Sequence, residues 1–226
     1  VPRNLQEKNV RYFLLNNYPF QFQNLIEQLQ NYGKRKRVIL IHDIAGMGKT
    51  TEITHMGLEI KKALPEFYIL RIELGRIDYI DINNCKKDPK KYLILFIKNP
   101  FDCKLFEKLF KKGRVVLLLD GFDEIPRKCV EVITEIIRKL IPGNKNSVNV
   151  NNQVILTSRF NCLEFLMENY RNESYIYRFE PLSVEQQKQI LINHWSKHCK
   201  KLKKTISQEA LKRIASTMIE KWQSSI

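Results

Sequence analysis

Short, unbroken apolar runs recur along the chain and constrain its fold more than any other feature of the sequence. The first is Val38–Ile41, and the purely aliphatic Val115–Leu119 is another. Runs of this length suit strands that are buried on both faces of a parallel sheet. Segments long enough for helices separate the runs, which predicts a βαβ architecture. The other expected strands are Phe67–Leu74 and Gln153–Thr157, and the expected helices are Thr51–Ala63, Pro89–Phe110 and Cys129–Leu140.

This pattern divides the chain into three predicted regions. Residues 1–32 carry apolar residues at helical spacing, interrupted at Pro19, and are interpreted as an N-terminal helical linker. Residues 33–160 hold the alternating strands and helices, with an Asn-, Gly- and Ser-rich loop at 142–152. We therefore predict an α/β fold in which helices sandwich a parallel sheet.

Residues 161–226 form the third region and are predicted to be wholly helical. Ser183 with Gln186 three positions later resembles a capping box at the start of one helix. Ser207 is expected to cap a second helix. The α/β domain is thus expected to be followed by a small all-helical segment.

The composition narrows the cellular setting. Among the 226 residues no apolar stretch reaches the length of about 18 that a membrane helix needs. The polar N-terminus does not have the pattern expected of a signal peptide, and the missing initial Met predicts a fragment of a longer protein. The five cysteines form no CxxC pair, which favours reduced thiols over a disulfide framework or a zinc site. We expect a cytoplasmic protein without a membrane partner.

The formal net charge of +15 is the other marked compositional feature. A basic excess attracts nucleic acids or acidic surfaces. No nucleic-acid recognition motif accompanies the charge, so solvated edges and faces covered by other domains are the favoured interpretation. The positive residues cluster at Lys34–Arg37, Lys86–Lys91, Lys111–Arg114 and Lys197–Lys204.

The most specific local motif is Asp43-Ile-Ala-Gly-Met-Gly-Lys-Thr-Thr51, which we call the P-loop. It follows a predicted strand and precedes a predicted helix, as a Walker A motif requires. The glycines allow a tight turn that brings backbone N–H groups to phosphates, and the helix N-terminus favours the same anion. Lys49 is expected to contact the phosphates, and the Thr50 hydroxyl to bind Mg²⁺. The predicted nucleotide-binding residues are Ala45, Gly46, Met47, Gly48, Lys49, Thr50 and Thr51.

Asp43 occupies the position where the usual motif begins with glycine. Aspartate tolerates unusual backbone angles better than most residues, so the turn is compatible with it. A carboxylate close to phosphates is unfavourable unless it points away or is paired. The motif therefore leaves open whether the site hydrolyses a nucleotide.

A second motif, Asp120-Gly-Phe-Asp-Glu124, ends the aliphatic run and has the pattern of a Walker B motif. Ligands bind at the carboxyl edge of parallel sheets, so Asp120 is placed to hold Mg²⁺, which keeps much of its hydration shell. Asp123 and Glu124 are candidates to orient or deprotonate an attacking water. Arg159, after the strand ending Ile155-Leu-Thr-Ser158, is a candidate contact for the γ-phosphate, because a guanidinium matches phosphate oxygens.

Together these motifs resemble the NACHT family within the STAND class of signalling P-loop ATPases. The resemblance rests on Ala45–Thr51, Asp120–Glu124 and Ile155–Arg159, and it covers about residues 35–200. Asp-Gly-Phe-Asp-Glu is the most specific part, and the segment Phe179–Gln187 is similar to the family's entry into its first helical domain.

The resemblance implies a five-stranded parallel sheet that is followed by helical and winged-helix domains. It implies a switch in which ADP holds a closed state and ATP an open, self-associating state, as in innate-immune signalling. It assigns phosphate and Mg²⁺ to Lys49, Thr50 and Asp120, hydrolysis to Asp123 and Glu124, and a sensing role to Arg159.

Two alternatives remain at this point. The basic charge suits a nucleic-acid-linked P-loop ATPase, which would bind in a salt-sensitive way. Asp43 suits a non-catalytic scaffold that binds nucleotide for stability alone.

Overall fold

The computed structural model describes residues 26–27, 38–77, 89–140, 152–170, 174–178, 183–201 and 206–223. The described residues up to Arg178 form one compact unit, and those from Ser183 onward form another. The predicted linker at 1–32 lies outside the described residues except for Ile26 and Glu27, which are helical. The predicted loop at 142–152 also lies outside them, apart from Asn152.

A five-stranded sheet forms the centre of the first unit. The strands are β1 (Val38–His42), β2 (Tyr68–Glu73), β3 (Val115–Asp120), β4 (Gln153–Ser158) and β5 (Ser174–Arg178). Every neighbouring pair of strands is parallel, and the strands lie in the order β2-β3-β4-β1-β5. The arrangement confirms the predicted parallel sheet.

The prediction that the chain is wholly helical after residue 160 is wrong, because residues Ser174–Arg178 form strand β5. Its sequence, Ser-Tyr-Ile-Tyr-Arg, pairs with β1 at the edge of the sheet. Aromatic and β-branched residues favour such a strand. Because it is an edge strand that is buried at one end and exposed at the other, it lacks the unbroken apolar run of the central strands. The α/β unit therefore extends to this strand rather than ending near residue 160.

The predicted helix Pro89–Phe110 is two separate helices in the structure. Pro100 lacks the N–H that a continuing helix requires, and a new helix starts there with Asn99 as its cap. The Asn99 side chain accepts a hydrogen bond from the backbone N–H of Phe101 at 2.9 Å. The helices of this unit are α1 (Lys49–Ala63), α2 (Pro89–Ile94), α3 (Pro100–Lys111), α4 (Arg127–Leu140) and α5 (Leu163–Tyr170).

Helices cover both faces of the sheet, which explains why its strands are continuously apolar. Ile39 and Ile41 of β1 face a cluster that includes Ile53, Met56 and Ile60 of α1. The alternate residues of the same strand join the larger cluster on the opposite face. Helices α2 to α5 contribute to that cluster through Leu93, Phe106, Ile133 and Leu166. The predicted sandwich is confirmed.

The second unit contains helices α6 (Val184–Lys201) and α7 (Gln208–Gln223). The predicted capping box is present, because Gln186 N–H donates to Ser183 Oγ and Ser183 N–H donates to the Gln186 side chain. Ser207 accepts from the Ala210 N–H at 3.2 Å, as expected of a cap. Ile192, Leu211 and Ala215 form the small core of this unit.

Candidate functional site

Three central strands bring the sequence motifs to one edge of the sheet. The order β3-β4-β1 places the ends of these strands side by side. In register, Leu119 lies beside Leu156, and His42 lies beside Ser158. The segments that follow the three strands therefore start from neighbouring positions, at the edge where parallel sheets bind ligands.

The P-loop turns from β1 into α1 through two glycines with positive φ. Both Gly46 and Gly48 have φ of 79°, and Gly48 is the N-cap residue of α1. A side chain would be strained in this left-handed region, so glycine is required for the turn. The turn directs the free N–H groups at the start of α1 toward the loop, which creates a site for an anion. Thr50 is exposed within this first turn.

The Lys49 side chain curls over the P-loop. Its ammonium donates to the backbone carbonyl of Asp43 at 2.9 Å and to that of Ile44 at 2.7 Å. Burial lowers the pKa of Lys49, while Asp123, Asp43 and Asp120 act to raise it. Arg159 also acts to lower this pKa. Charged residues of the P-loop, of the Asp120–Glu124 motif and of the segment after β4 thus all act on Lys49. The structure therefore brings Lys49, Asp120, Asp123 and Arg159 together.

Asp43 is paired within its own loop. The residue is only 3% exposed, and its Oδ1 accepts the N–H of Ile44 at 2.8 Å. Its backbone N–H donates to the carbonyl of Ser158 at 3.2 Å, which ties the loop to β4. The turn accommodates aspartate at the position of the usual glycine.

Asp120 is held through both of its carboxylate oxygens. Its Oδ1 accepts from the hydroxyl of Thr157 at 2.7 Å, and its Oδ2 accepts from Nη2 of Arg71 at 2.9 Å. Thr157 is fully buried and also accepts from the N–H of Gly121 at 2.9 Å. The carboxylate at the end of β3 is therefore fixed by β2 on one side and by β4 on the other.

Sequence reasoning missed Arg71 and gave no role to Thr157. Arg71 lies in the run Tyr68–Glu73, where a charge in a strand of a parallel sheet is itself unusual and was a usable signal. The carboxylate that Arg71 contacts depends on which strands are neighbours in the sheet. No local pattern in the sequence indicates that order.

Replacing Thr157 with valine is expected to lower the free energy of unfolding by about 2 kcal/mol. Valine keeps the shape but leaves the partly buried N–H of Gly121 without its acceptor and Oδ1 of the buried Asp120 without its donor. Denaturant unfolding measures the loss. The matched control is Thr54→Val on α1, where an exposed hydroxyl donates to the Thr50 carbonyl and removal should change stability by less than about 0.5 kcal/mol. Equal stability of the two variants would contradict the role given to Thr157.

Asp123 and Arg159 form a two-point contact. The carboxylate accepts from Nε of Arg159 through Oδ2 and from the backbone N–H of Arg159 through Oδ1, both at 2.9 Å. The Asp123 side chain is 5% exposed, whereas that of Arg159 is 51% exposed. The contact links the segment after β3 to the end of β4 and leaves the outer part of the guanidinium toward solvent.

Glu124 points elsewhere. Its Oε2 would lie 3.0 Å from a β-carbon built at Gly75 and 3.1 Å from one built at Gly121. The two neighbouring acids of the motif therefore occupy different surroundings, with Asp123 on the lysine side and Glu124 against the turn after β2.

His42, the last residue of β1, is buried directly before the P-loop. It is 4% exposed, and its ring lies 5.7 Å from that of Phe160. Neither ring nitrogen has a hydrogen-bond partner among the described residues. Burial lowers the pKa of His42, Asp43 opposes this, and Arg178 and Lys49 add to the lowering.

Acidification is expected to destabilise the protein through His42. A histidine whose pKa is lower in the folded state stabilises the fold fully above its unfolded pKa, and this contribution is lost as the pH falls through the folded value. His42→Phe should therefore lose less stability than the wild type between about pH 7.5 and about pH 5. Thermal melting across this range tests the expectation, with His55→Phe at an exposed position of α1 as control. A wild-type pH profile for His42→Phe would contradict it.

A parallel sheet in this order, with a glycine-rich loop between β1 and α1 and an acidic segment after β3, defines the α/β fold of P-loop ATPases. One solved structure supports that fold. The AAA domain of FIGL-1, solved in complex with ADP, superposes with a TM-score of 0.51 at 16% sequence identity, covering 80% of this chain and 54% of that one.

Two further solved structures match less well. C. elegans PCH-2 gives a TM-score of 0.49 at 14% identity and covers 83% of this chain and 47% of its own. A DNA replication initiation factor gives 0.48 at 16% identity and covers 85% of this chain and 54% of its own. The chain thus spans about half of the length of the structures that it matches.

No protein-family model and no curated protein matches the chain. Within the described ranges, none of the helices has the length and apolar character needed to cross a membrane.

Proposed function

We propose that this chain is an ATP- and ADP-binding switch module of the NACHT type, which hydrolyses ATP slowly with Mg²⁺ and regulates self-association in cytosolic, innate-immune-like signalling. The observation that carries the proposal is the convergence of Lys49, Asp120, Asp123 and Arg159 beside the P-loop. These are a phosphate-binding cation, a metal-binding carboxylate, an acid and a second cation, which is the set that phosphoryl transfer needs. The FIGL-1 AAA domain, which shares the fold, was solved with ADP.

The residues at this edge fit Mg²⁺. Thr50 supplies a hydroxyl on an exposed first turn, and Asp120 supplies a hard carboxylate oxygen at a fixed position. Mg²⁺ takes few protein ligands and fills its remaining positions with water and phosphate oxygens, so two such residues suffice. The bound ion would neutralise charge that develops on the phosphates.

The contact between Asp123 and Arg159 provides a physical basis for switching. A γ-phosphate would compete with the Asp123 carboxylate for the guanidinium of Arg159, because phosphate and carboxylate oxygens both accept charge-assisted hydrogen bonds from it. Engagement of Arg159 by phosphate would release Asp123, and loss of the phosphate would restore the pair. ATP and ADP would then favour different arrangements of the segments after β3 and β4, as a two-state switch requires.

Thermal melting of the chain with Mg²⁺ and either ADP or ATP tests nucleotide binding. A ligand at about 100 times its dissociation constant stabilises the folded state by about 2.7 kcal/mol, so a clear upward shift in Tm is expected. Lys49→Ala should lose this shift. Lys62→Ala on the same helix removes an equal charge from an exposed position and should keep it. Absence of a shift in the wild type would defeat the proposed function.

A non-catalytic nucleotide-binding scaffold is the second candidate, and one observation favours it. Asp120 and Asp123 each pair with an arginine, which occupies oxygens that hydrolysis would use. This candidate predicts the same thermal shift without phosphate release or nucleotide-dependent association. Measuring phosphate release and size-exclusion profiles with ADP and with ATP separates the two candidates.

A further inference from the structure

A chain of alternating charges runs from the surface to the carboxylate of Asp120. Arg76 Nε contacts Glu73 Oε2 at 2.7 Å, and Glu73 Oε1 contacts Nη1 of Arg71 at 3.2 Å. The other terminal nitrogen of Arg71 reaches Asp120 at 2.9 Å. Only the first link is widely exposed, because Arg76 is 83% exposed whereas Arg71 is 28% and Asp120 is 7% exposed.

Strand geometry explains how these charges meet. Arg71 and Glu73 are two positions apart on β2, so they lie on the same face of the sheet. In the parallel register Glu73 lies beside Asp120, and Arg71 lies beside Leu118. Leu118 belongs to the cluster that packs against α1, which places this network on the P-loop side of the sheet.

The network bears directly on the proposed metal ligand. A carboxylate oxygen that accepts from a guanidinium retains a lone pair, so Asp120 can still meet a metal ion. The guanidinium charge, however, would lie within a few ångströms of that ion, where two positive charges repel appreciably in a partly buried site. Thr157 holds the other oxygen of Asp120 without a charge, so the orientation of the carboxylate does not depend on Arg71 alone.

We propose that Arg71 is a positioning residue that holds Asp120 and weakens the affinity of the nucleotide site for Mg²⁺. Glu73 moderates the effect because it shares the charge of Arg71. The inference rests on the proposed nucleotide-binding function. If Arg71 has this role, Mg²⁺ adds little to nucleotide affinity, and the bound nucleotide is held mainly by the P-loop.

Equilibrium binding of a fluorescent ADP analogue, once with excess Mg²⁺ and once with EDTA, tests the proposal. The measured quantity is the factor by which Mg²⁺ tightens binding, which is independent of catalytic activity. Arg71→Gln should raise this factor by about tenfold, because one positive charge beside the metal ligand is removed. Glu73→Gln should lower the factor by about threefold, since Arg71 then acts on Asp120 alone.

Arg76→Gln is the matched control, because Arg76 contacts Glu73 but lies at the exposed end of the network. In this variant, the factor by which Mg²⁺ tightens binding should stay within about twofold of the wild-type value. Arg71→Lys, which keeps the charge, should also resemble the wild type. Thermal melting of each variant without nucleotide establishes that it is folded, and Glu73→Gln supplies the test should Arg71→Gln fail to fold.

The possible outcomes distinguish failure of the proposed function from failure of the role given to Arg71. A wild-type chain that binds the analogue in neither condition would remove the proposed function and the role of Arg71 with it. Binding with an unchanged or reduced Mg²⁺ factor in Arg71→Gln would leave the function standing and overturn the role of Arg71. An equal rise in Arg76→Gln would likewise overturn it, because the effect would then reflect net charge alone.

Discussion

Substituting Gly57 with valine is expected to lower the free energy of unfolding by about 3 kcal/mol and, under the proposed function, to abolish nucleotide binding. Gly57 faces the sheet from the middle of α1 and is buried. A β-carbon at this position would lie 2.6 Å from Cδ1 of Leu118 and 3.5 Å from Cγ2 of Ile69. Because Leu118 is itself only 1% exposed, its side chain has little room to move, and the helix must shift away from β3.

The shift of α1 would also displace the P-loop, because the N-terminus of this helix continues directly from Gly48. Gly57→Ala should show a smaller loss, since alanine adds one side-chain carbon where valine adds three, and alanine favours the helix. Leu58→Val at the adjacent, 59% exposed position is the control and should change stability by less than about 0.5 kcal/mol. Denaturant unfolding measures the change in stability, and ADP binding measures the effect on the P-loop. Wild-type binding by Gly57→Val would contradict the close packing of α1 on the sheet.

The central part of the fold could be predicted because its physical signals are local. Strands β1, β3 and β4 are buried along their whole length, so burial on two faces appears directly as unbroken apolar runs. Strand β5 has only one neighbour in the sheet and a burial pattern that changes along its length. Its five residues lack a periodic signal, so the wholly helical prediction for this region failed there.

The candidate site was predictable to a smaller extent. The P-loop and the acidic segment were visible because phosphate and metal sites need particular residue types at fixed spacing. The pairings within the site were not visible. The contact of Arg159 with Asp123 spans 36 residues, and that of Arg71 with Asp120 spans 49, and both depend on which strands become neighbours. Long-range partners of this kind follow from sheet topology and not from spacing along the chain.

Replacing Asp123 with asparagine is expected to reduce ATP hydrolysis by about 100-fold under the proposed function, while ADP binding stays within a few-fold of the wild type. Asp123 lies near Lys49 and contacts Arg159 through both oxygens, so it is the acid closer to the expected position of the phosphates. Asparagine keeps the size and can still accept one hydrogen bond from Arg159. It cannot accept a proton from water at neutral pH. Phosphate release in a single turnover, with ADP affinity measured separately, distinguishes loss of chemistry from loss of binding.

Glu124→Gln is the matched comparison, because it makes the same chemical change in the neighbouring acid. Glu124 lies against Gly75 and Gly121, so its removal should reduce hydrolysis by no more than about fivefold. Arg159→Ala should reduce hydrolysis and also free Asp123 from its ion pair, so its effect should not add to that of Asp123→Asn in the double variant. A 100-fold loss in Glu124→Gln with little change in Asp123→Asn would reverse the assignment. It would then mean that Asp123 serves to hold Arg159 and that Glu124 turns toward the nucleotide when the site is filled.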